Sequence, residues 1–93
     1  MIGSFKDKKA AAIMDGIAPK GFPPDLVRTT QRKLFMIETA VELRDLALPP
    51  GNRLHALKRD REGQHAISIN DQFRICFRWI DGKAEDVEIA DYH

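Results

Sequence analysis

The chain lacks the features that mark disulfide-rich, metal-clustered or membrane-spanning proteins. It contains one cysteine, Cys76, so it has no disulfide framework and no CxxC pair for a metal or a redox reaction. No apolar run approaches the roughly 18 residues that a membrane span needs, and internal repeats and low-complexity tracts are missing. These absences predict a single domain over residues 1–93, with one hydrophobic core, in a reducing, cytoplasmic setting.

The beginning of the chain also lacks the pattern of an export signal. Residues 1–9 turn charged at once and do not lead into an apolar segment. We therefore expect an unexported protein that is complete as written and that has no contact with a membrane.

The net charge is small, at +1, but the charges are unevenly placed. Six basic and three acidic residues lie between Arg53 and Arg78, whereas one basic and five acidic residues lie between Trp79 and His93. Phosphate affinity grows with the number of Lys and Arg contacts. The layout therefore predicts a local basic patch for a polyanion and argues against a surface that coats DNA.

Hydrophobic spacing predicts two helices followed by a sheet. Residues 6–17 and 25–48 carry apolar side chains at helical spacing, and residues 1–5 are a short candidate for an edge strand. After residue 53 the period changes to two, and in the clearest strand apolar residues alternate with Arg74, Cys76 and Arg78. The predicted fold class is α+β, with two N-terminal helices packed on one face of a small, mainly antiparallel, twisted sheet. The predicted strands cover residues 54–58, 65–69, 73–80 and 85–89.

Four stretches of the sequence resemble the HigB toxins of bacterial toxin–antitoxin systems, within the RelE/ParE superfamily. They are the opening MIGSF, ELRDL followed by PPGNRL, DREGQHAISINDQFRICF, and the terminal DYH. The resemblance implies a RelE-like toxin that enters the A site of the 30S ribosomal subunit and cleaves messenger RNA there. It also implies neutralisation by a HigA-type helix-turn-helix antitoxin, so that DNA is contacted only through the antitoxin.

The resemblance also implies which residues form the site. Cleavage of this type activates the ribose 2′-hydroxyl to attack the adjacent phosphorus, so it needs a proton acceptor, a proton donor and cations for the phosphorane charge. The scheme requires no metal and no cofactor. The implied catalytic residues are His55, Arg74, Asp91, Tyr92 and His93, and the basic residues predicted to bind RNA are Lys58, Arg59, Arg61 and Arg78.

Each catalytic side chain has a chemical reason to be there. The imidazoles of His55 and His93 can accept and donate protons near neutral pH, and which of them is the acid stays open. Arg74 can hold two phosphate oxygens through its planar guanidinium. The carboxylate of Asp91 would orient a histidine or act as the base. The ring of Tyr92 would stack on an RNA base or donate a hydrogen bond.

Other polar residues are interpreted as structural. His65 shares strand parity with two isoleucines, so we interpret it as a structural or surface residue. Cys76 is predicted to be a small buried residue, because no adjacent base is apparent. Lys8 and Lys9 are interpreted as a solvated helix face, with contact to RNA or the ribosome as the alternative.

The terminal segment raises a geometrical problem. In an unbroken last strand Ile89, Asp91 and His93 would share the core-facing side, which would bury a carboxylate and an imidazole beneath the helices. We therefore predict that the chain leaves strand geometry after about Ile89 and bends toward Arg74 and His55.

Two other functions stay open on the sequence. A ParE-like inhibitor of DNA gyrase would share the fold and perform no chemistry on RNA, although the paired His55 and His93 argue against it. A catalytically weak member of the family would act only as an antitoxin-binding partner through its sheet or helix surface.

Overall fold

A computed structural model describes residues 1–92, and His93 lies outside the described residues. The chain is α+β: two helices, α1 (Lys8–Met14) and α2 (Val27–Thr39), precede a four-stranded antiparallel sheet in the order β1-β2-β3-β4. No helix in the described part is long and apolar enough to cross a membrane. The strands are β1 (His55–Ala56), β2 (His65–Ser68), β3 (Phe73–Ile80) and β4 (Lys83–Asp91).

Helix α2 is shorter than its hydrophobic pattern predicts. It ends at Thr39, and the chain then forms a short 3-10 helix at Leu43–Ala47. The carboxylate of Asp45 accepts hydrogen bonds from the backbone N–H groups of Val41 (3.0 Å) and Glu42 (2.9 Å). Such bonds offer the backbone an alternative to the helical ladder. The apolar spacing therefore continues past the point where the α-helix stops.

The core lies between the helices and one face of the sheet. Ile75 and Phe77 of β3 are fully buried there with Ile13 of α1 and Ile37 of α2, and the predicted alternation along β3 is confirmed. On the other face, a smaller buried cluster contains only strand residues. Strand register sets six residues side by side on what we call the Cys76 face, which consists of Ala66, Ser68, Arg74, Cys76, Glu88 and Ala90.

Strand β4 runs on past the point where a bend was predicted. Asp91 pairs with Phe73, and the N–H of Tyr92 donates to the carbonyl of Gln72 (2.8 Å). The predicted departure from strand geometry after Ile89 is therefore wrong. The prediction assumed that the helices cover the whole strand, but Asp91 is exposed, so an extended strand buries no carboxylate there.

A bulge in β4 changes which residues face the core. The register with β3 shifts between Cys76 and Arg78, and Asp86 adopts a left-handed conformation with φ +55°. One inserted residue reverses the alternation of a strand. Ala84 and Val87, three positions apart, are consequently both fully buried.

The predicted edge strand at residues 1–5 is reduced to two isolated bridges. Ile2 and Phe5 pair in parallel with Ala84 and Val87 of β4. The segment is nevertheless bonded to the sheet, because backbone hydrogen bonds of 2.8–3.1 Å join the two on both sides of the bulge.

A buried polar network joins α2 to the segment that precedes β1. The Nζ of Lys33 donates to Asn52 Oδ1 (3.0 Å) and to the carbonyl of Ser68 (2.6 Å). The Asn52 amide donates in turn to the carbonyls of Leu46 (3.2 Å) and Leu48 (3.3 Å). Burial lowers the pKa of the Lys33 amine. The network holds Asn52 in place, and β1 begins three residues later.

We expect Asn52→Ala to lower the free energy of unfolding by about 2–4 kcal/mol, because it removes a partner of the buried ammonium and two buried donors. Urea unfolding followed by the fluorescence of Trp79 measures the loss. Asn70→Ala is the matched control, since Asn70 is exposed and accepts only two turn N–H groups; its cost should stay near about 1 kcal/mol. Equal losses in the two variants would contradict a special role for the buried network.

Candidate functional site

Arg74 and Tyr92 meet on the Cys76 face, where β3 begins and β4 ends. The guanidinium carbon of Arg74 lies 4.8 Å from the centroid of the Tyr92 ring, which is a cation–π distance. The ring extends back along β3, so that its hydroxyl lies 3.7 Å from the Sγ of Cys76. Arg74 Nε is buried and has no hydrogen-bond partner among residues 1–92. Because Nε is shielded from solvent, an anion can approach only the terminal nitrogens of this partly exposed side chain.

The Tyr92 phenol and the Cys76 thiol, which lie beside this guanidinium, both stay protonated at neutral pH. Burial and the hydrogen bond to Cys76 raise the pKa of the Tyr92 phenol, and burial raises the pKa of the Cys76 thiol. Cys76 is fully buried, which confirms its interpretation as a small buried residue. Tyr92 can therefore stack or donate a hydrogen bond, but it is a poor base.

Two of the predicted RNA-binding arginines are engaged with carboxylates. Arg61 donates to the carboxylate of Glu88 and to Gln64 Oε1 (3.1 Å), and the bond to Glu88 raises the pKa of Arg61. The Nε of Arg78 lies 3.8 Å from an oxygen of Asp86. Part of the predicted basic patch is thus neutralised within the protein.

A cleft of about 530 Å³ joins the end of β4 to the loop that follows β1. Arg59 does not line it and begins the 3-10 helix Arg59–Arg61 in a left-handed conformation with φ +62°. The structure thus brings together Lys58, Arg61, Asp91 and Tyr92 of the predicted set. We call this the Lys58 cleft, and its lining residues are Leu57, Lys58, Asp60, Arg61, Asp91 and Tyr92.

His55 is not in this cleft. It pairs with Ala66, and its Nδ1 lies 2.9 Å from the carbonyl of Arg53. The predicted approach of Asp91 and Tyr92 to His55 is therefore not seen; the part of that prediction that concerns His93 falls outside the described residues. His55 instead lines a separate cleft of about 610 Å³, with Glu42, Leu43, Arg44, Leu54, Ala56 and His65.

His65 behaves as the structural residue that its parity predicts. Its ring stacks on Phe77, with 6.3 Å between the ring centroids. Its buried Nδ1 has no hydrogen-bond partner in the described part of the chain. Burial and the nearby His55 lower the pKa of His65. The ring is therefore held in its neutral form.

Sequence reasoning missed two residues that hold the site in place. Glu88 binds Arg61, and the Nε2 of Gln72 donates to an Asp91 oxygen (3.1 Å). Alternation with Ile89 places Glu88 on the face away from the helices, but no local pattern pairs it with Arg61, which is 27 residues earlier in the chain. For Gln72, which lies in the turn before β3, the sequence carries no signal of its bond to Asp91.

Residues 1–92 include no cluster of three or more His, Cys, Asp or Glu side chains that could hold a metal ion. The comparison with known families decides what kind of protein carries this site. A profile described as "RelE-like toxin of type II toxin-antitoxin system HigB" matches residues 3–93. The chain belongs to the HigB-like toxin family. A type II toxin has an antitoxin partner.

Relatives in the HigB-like toxin family agree with this assignment. "Endoribonuclease HigB" of Proteus vulgaris is 36% identical over 97 residues, with 100% of each chain covered. "Toxin HigB-1" of Vibrio cholerae serotype O1 is 37% identical over 81 residues, which cover 86% of this chain and 85% of the relative. The crystal structure of YafQ from E. coli BL21(DE3) has a TM-score of 0.59 and 9% identity, and covers 99% of this chain and 94% of that chain. At that identity the likeness shows a shared fold.

The histidine-lined cleft predicts how the stability of this HigB-like toxin depends on pH. The folded-state pKa of His65 is lowered from 6.5, so the unfolded chain takes up a proton first as the pH falls. The contribution of His65 to stability then falls as the pH drops below about 6.5. Glu42, Arg44 and His55 face the same cleft. The variant His65→Gln keeps these three side chains. We expect it to lose less stability than the wild type between about pH 7.5 and pH 5.5 in urea unfolding. Equal losses would contradict a lowered pKa for His65.

Proposed function

We propose that this HigB-like toxin is an endoribonuclease that cleaves messenger RNA in the ribosomal A site, with its chemistry at Arg74, Tyr92 and His93. The contact between Arg74 and Tyr92 carries the proposal. It combines a partly exposed guanidinium with an aromatic ring at 4.8 Å, and Tyr92 also lines the cleft that contains Lys58. A phosphate and an unstacked base are the two groups that such a pair recognises. A relative 36% identical over its full length is named an endoribonuclease.

In the proposed reaction the ribose 2′-oxygen attacks the adjacent phosphorus, and the bond from phosphorus to the 5′-oxygen breaks. The products are a 2′,3′-cyclic phosphate and a 5′-hydroxyl. Arg74 and Lys58 stabilise the extra negative charge on the phosphorane oxygens. One group removes the proton of the 2′-hydroxyl, and another gives a proton to the leaving oxygen.

We assign the two proton transfers to His93 and Asp91. Asp91 lines the Lys58 cleft beside Tyr92, and His93 follows Tyr92 in the sequence. Imidazole titrates near neutral pH, so His93 suits either transfer. His55 lines a different cleft, and its catalytic role stays a prediction that the second test below addresses.

The ribosome has a physical role in this scheme. Arg61 and Arg78 are already close to carboxylates, so the phosphate affinity of the site rests on few cations and free RNA should bind weakly. A codon held by the 30S A site arrives already oriented for in-line attack. We further propose that a HigA-type helix-turn-helix antitoxin neutralises the toxin, and that the two meet in the cytoplasm.

The first test compares two arginines on the same strand. We expect Arg74→Ala to lower the rate of message cleavage on programmed ribosomes by about 10²–10³-fold, because it removes the main donor to the phosphorane. Arg78→Ala is the matched control; it faces the same way on β3 but pairs with Asp86, and its rate should stay within about threefold of the wild type. Primer extension on a defined message measures both. Undiminished cleavage by Arg74→Ala would overturn the assignment, and gyrase inhibition without any cleavage would favour a ParE-like function.

The second test compares two histidines. We expect His93→Gln to lower the cleavage rate by about 10²–10⁴-fold, because it removes a proton-transfer group. His55→Gln should lose much less, since His55 lies in the separate cleft with His65. The same ribosome assay, repeated with a chelator, measures both variants and tests whether the reaction needs a metal. A loss for His55→Gln as large as that for His93→Gln would return His55 to the catalytic set.

A further inference from the structure

A second basic cleft lies on the helix side of the end of β4. Its volume is about 360 Å³, and neither the catalytic scheme nor the predicted RNA-binding set uses it. Helix α1 contributes Lys9 and the loop after it contributes Lys20. The start of β3 and the end of β4 complete the wall. We call it the Lys9–Lys20 cleft, and the lining residues that matter here are Lys9, Lys20, Phe22, Gln72, Phe73 and Asp91.

Asp91 connects this cleft to the candidate active site. It lines both the Lys9–Lys20 cleft and the Lys58 cleft. Successive side chains of a strand point to opposite faces, and Tyr92 lies on the Cys76 face with Arg74. The end of β4 is therefore a ridge between the two clefts. A strand of RNA that leaves the Lys58 cleft across this ridge enters the Lys9–Lys20 cleft.

The chemistry of the cleft suits a phosphodiester. Among residues 1–92, neither Lys9 nor Lys20 forms an ion pair, so both ammonium groups are available to a phosphate. Phe22 and Phe73 pack together with ring centroids 5.2 Å apart and give the cleft an apolar wall. The volume is at the small end of ligand pockets, which fits one nucleotide unit.

The carboxylate of Asp91 decides where a phosphate can bind. It holds the Gln72 amide at 3.1 Å on the ridge, and a phosphate on the ridge itself would be repelled. Phosphates are therefore favoured on either side of it, near Arg74 and Lys58 on one side and near the two lysines on the other.

We infer that the Lys9–Lys20 cleft binds a backbone phosphate of RNA next to the phosphate that is cleaved. The inference rests on the proposed ribonuclease function and adds a second anchoring point to it. The RNA is either the message itself or ribosomal RNA beside the A site, since both present the same phosphodiester.

The test uses the double variant Lys9→Gln/Lys20→Gln and a matched control, Lys8→Gln/Lys83→Gln. The control removes the same charge from two exposed lysines that line neither cleft. The first arm measures binding of a short 2′-O-methyl RNA, which cannot be cleaved, by fluorescence anisotropy over a range of salt concentrations. The second arm measures binding to empty ribosomes. The third arm measures message cleavage on programmed ribosomes.

Loss of one phosphate contact should make the slope of log affinity against log salt shallower by about 0.7 for a single strand. Such a change with the oligonucleotide assigns the cleft to the message; a change confined to empty ribosomes assigns it to ribosomal RNA. Either outcome supports the inference if the control pair keeps the wild-type slope. If the double variant matches the control in all three arms, the inference is wrong.

The outcomes also separate this inference from the proposed function. If Arg74→Ala abolishes cleavage while Lys9→Gln/Lys20→Gln behaves like the control, the ribonuclease function stands and the second anchoring point falls. If the wild type cleaves no message, the proposed function falls, and the inference, which names the cleaved phosphate, falls with it. The salt slopes would then still report whether the cleft binds phosphate.

Discussion

The pairing of β3 with β4 is the constraint on which the site depends. Its register sets Arg74 opposite Ala90. Beyond the last pair, the N–H of Tyr92 donates to the carbonyl of Gln72. A slip of one residue would turn Tyr92 to the helix side and separate it from the guanidinium. The bulge at Asp86 belongs to the same constraint, since it lets both halves of β4 bury their apolar residues while the end of the strand keeps its orientation.

This pairing gives the uneven charge of the sequence a structural explanation. The basic middle and the acidic last strand become neighbours in the sheet, where Glu88 engages Arg61 and Asp86 approaches Arg78. The sheet thereby neutralises cations that a count of residues would assign to RNA. Arg74 instead has an aromatic ring beside it. Charge that stays unpaired after folding is a better guide to the phosphate site than charge along the sequence.

The sequence predicted those features that depend on local pattern. The span of β3 and the burial of Ile75 and Phe77 both follow from alternation, and they were predicted correctly. The end of α2 was predicted wrongly, because the Asp45 carboxylate competes for backbone N–H groups. The course of β4 was predicted wrongly, because the helices do not cover the strand as far as Asp91. For the site, the family resemblance supplied Arg74 and Tyr92, but the separate position of His55 depends on how far β1 extends beside β2, which no local pattern encodes.

Asp91 and Tyr92, the last described residues, are held by more than one kind of interaction. Here the last strand is hydrogen bonded through Asp91, the next N–H continues the ladder, and the Tyr92 ring packs on Arg74. A cation–π contact of this kind contributes about 0.5–1 kcal/mol at a partly exposed position. In the proposed reaction, that contact has two effects: it orients the guanidinium for the phosphate, and it holds Tyr92 at the edge of the Lys58 cleft.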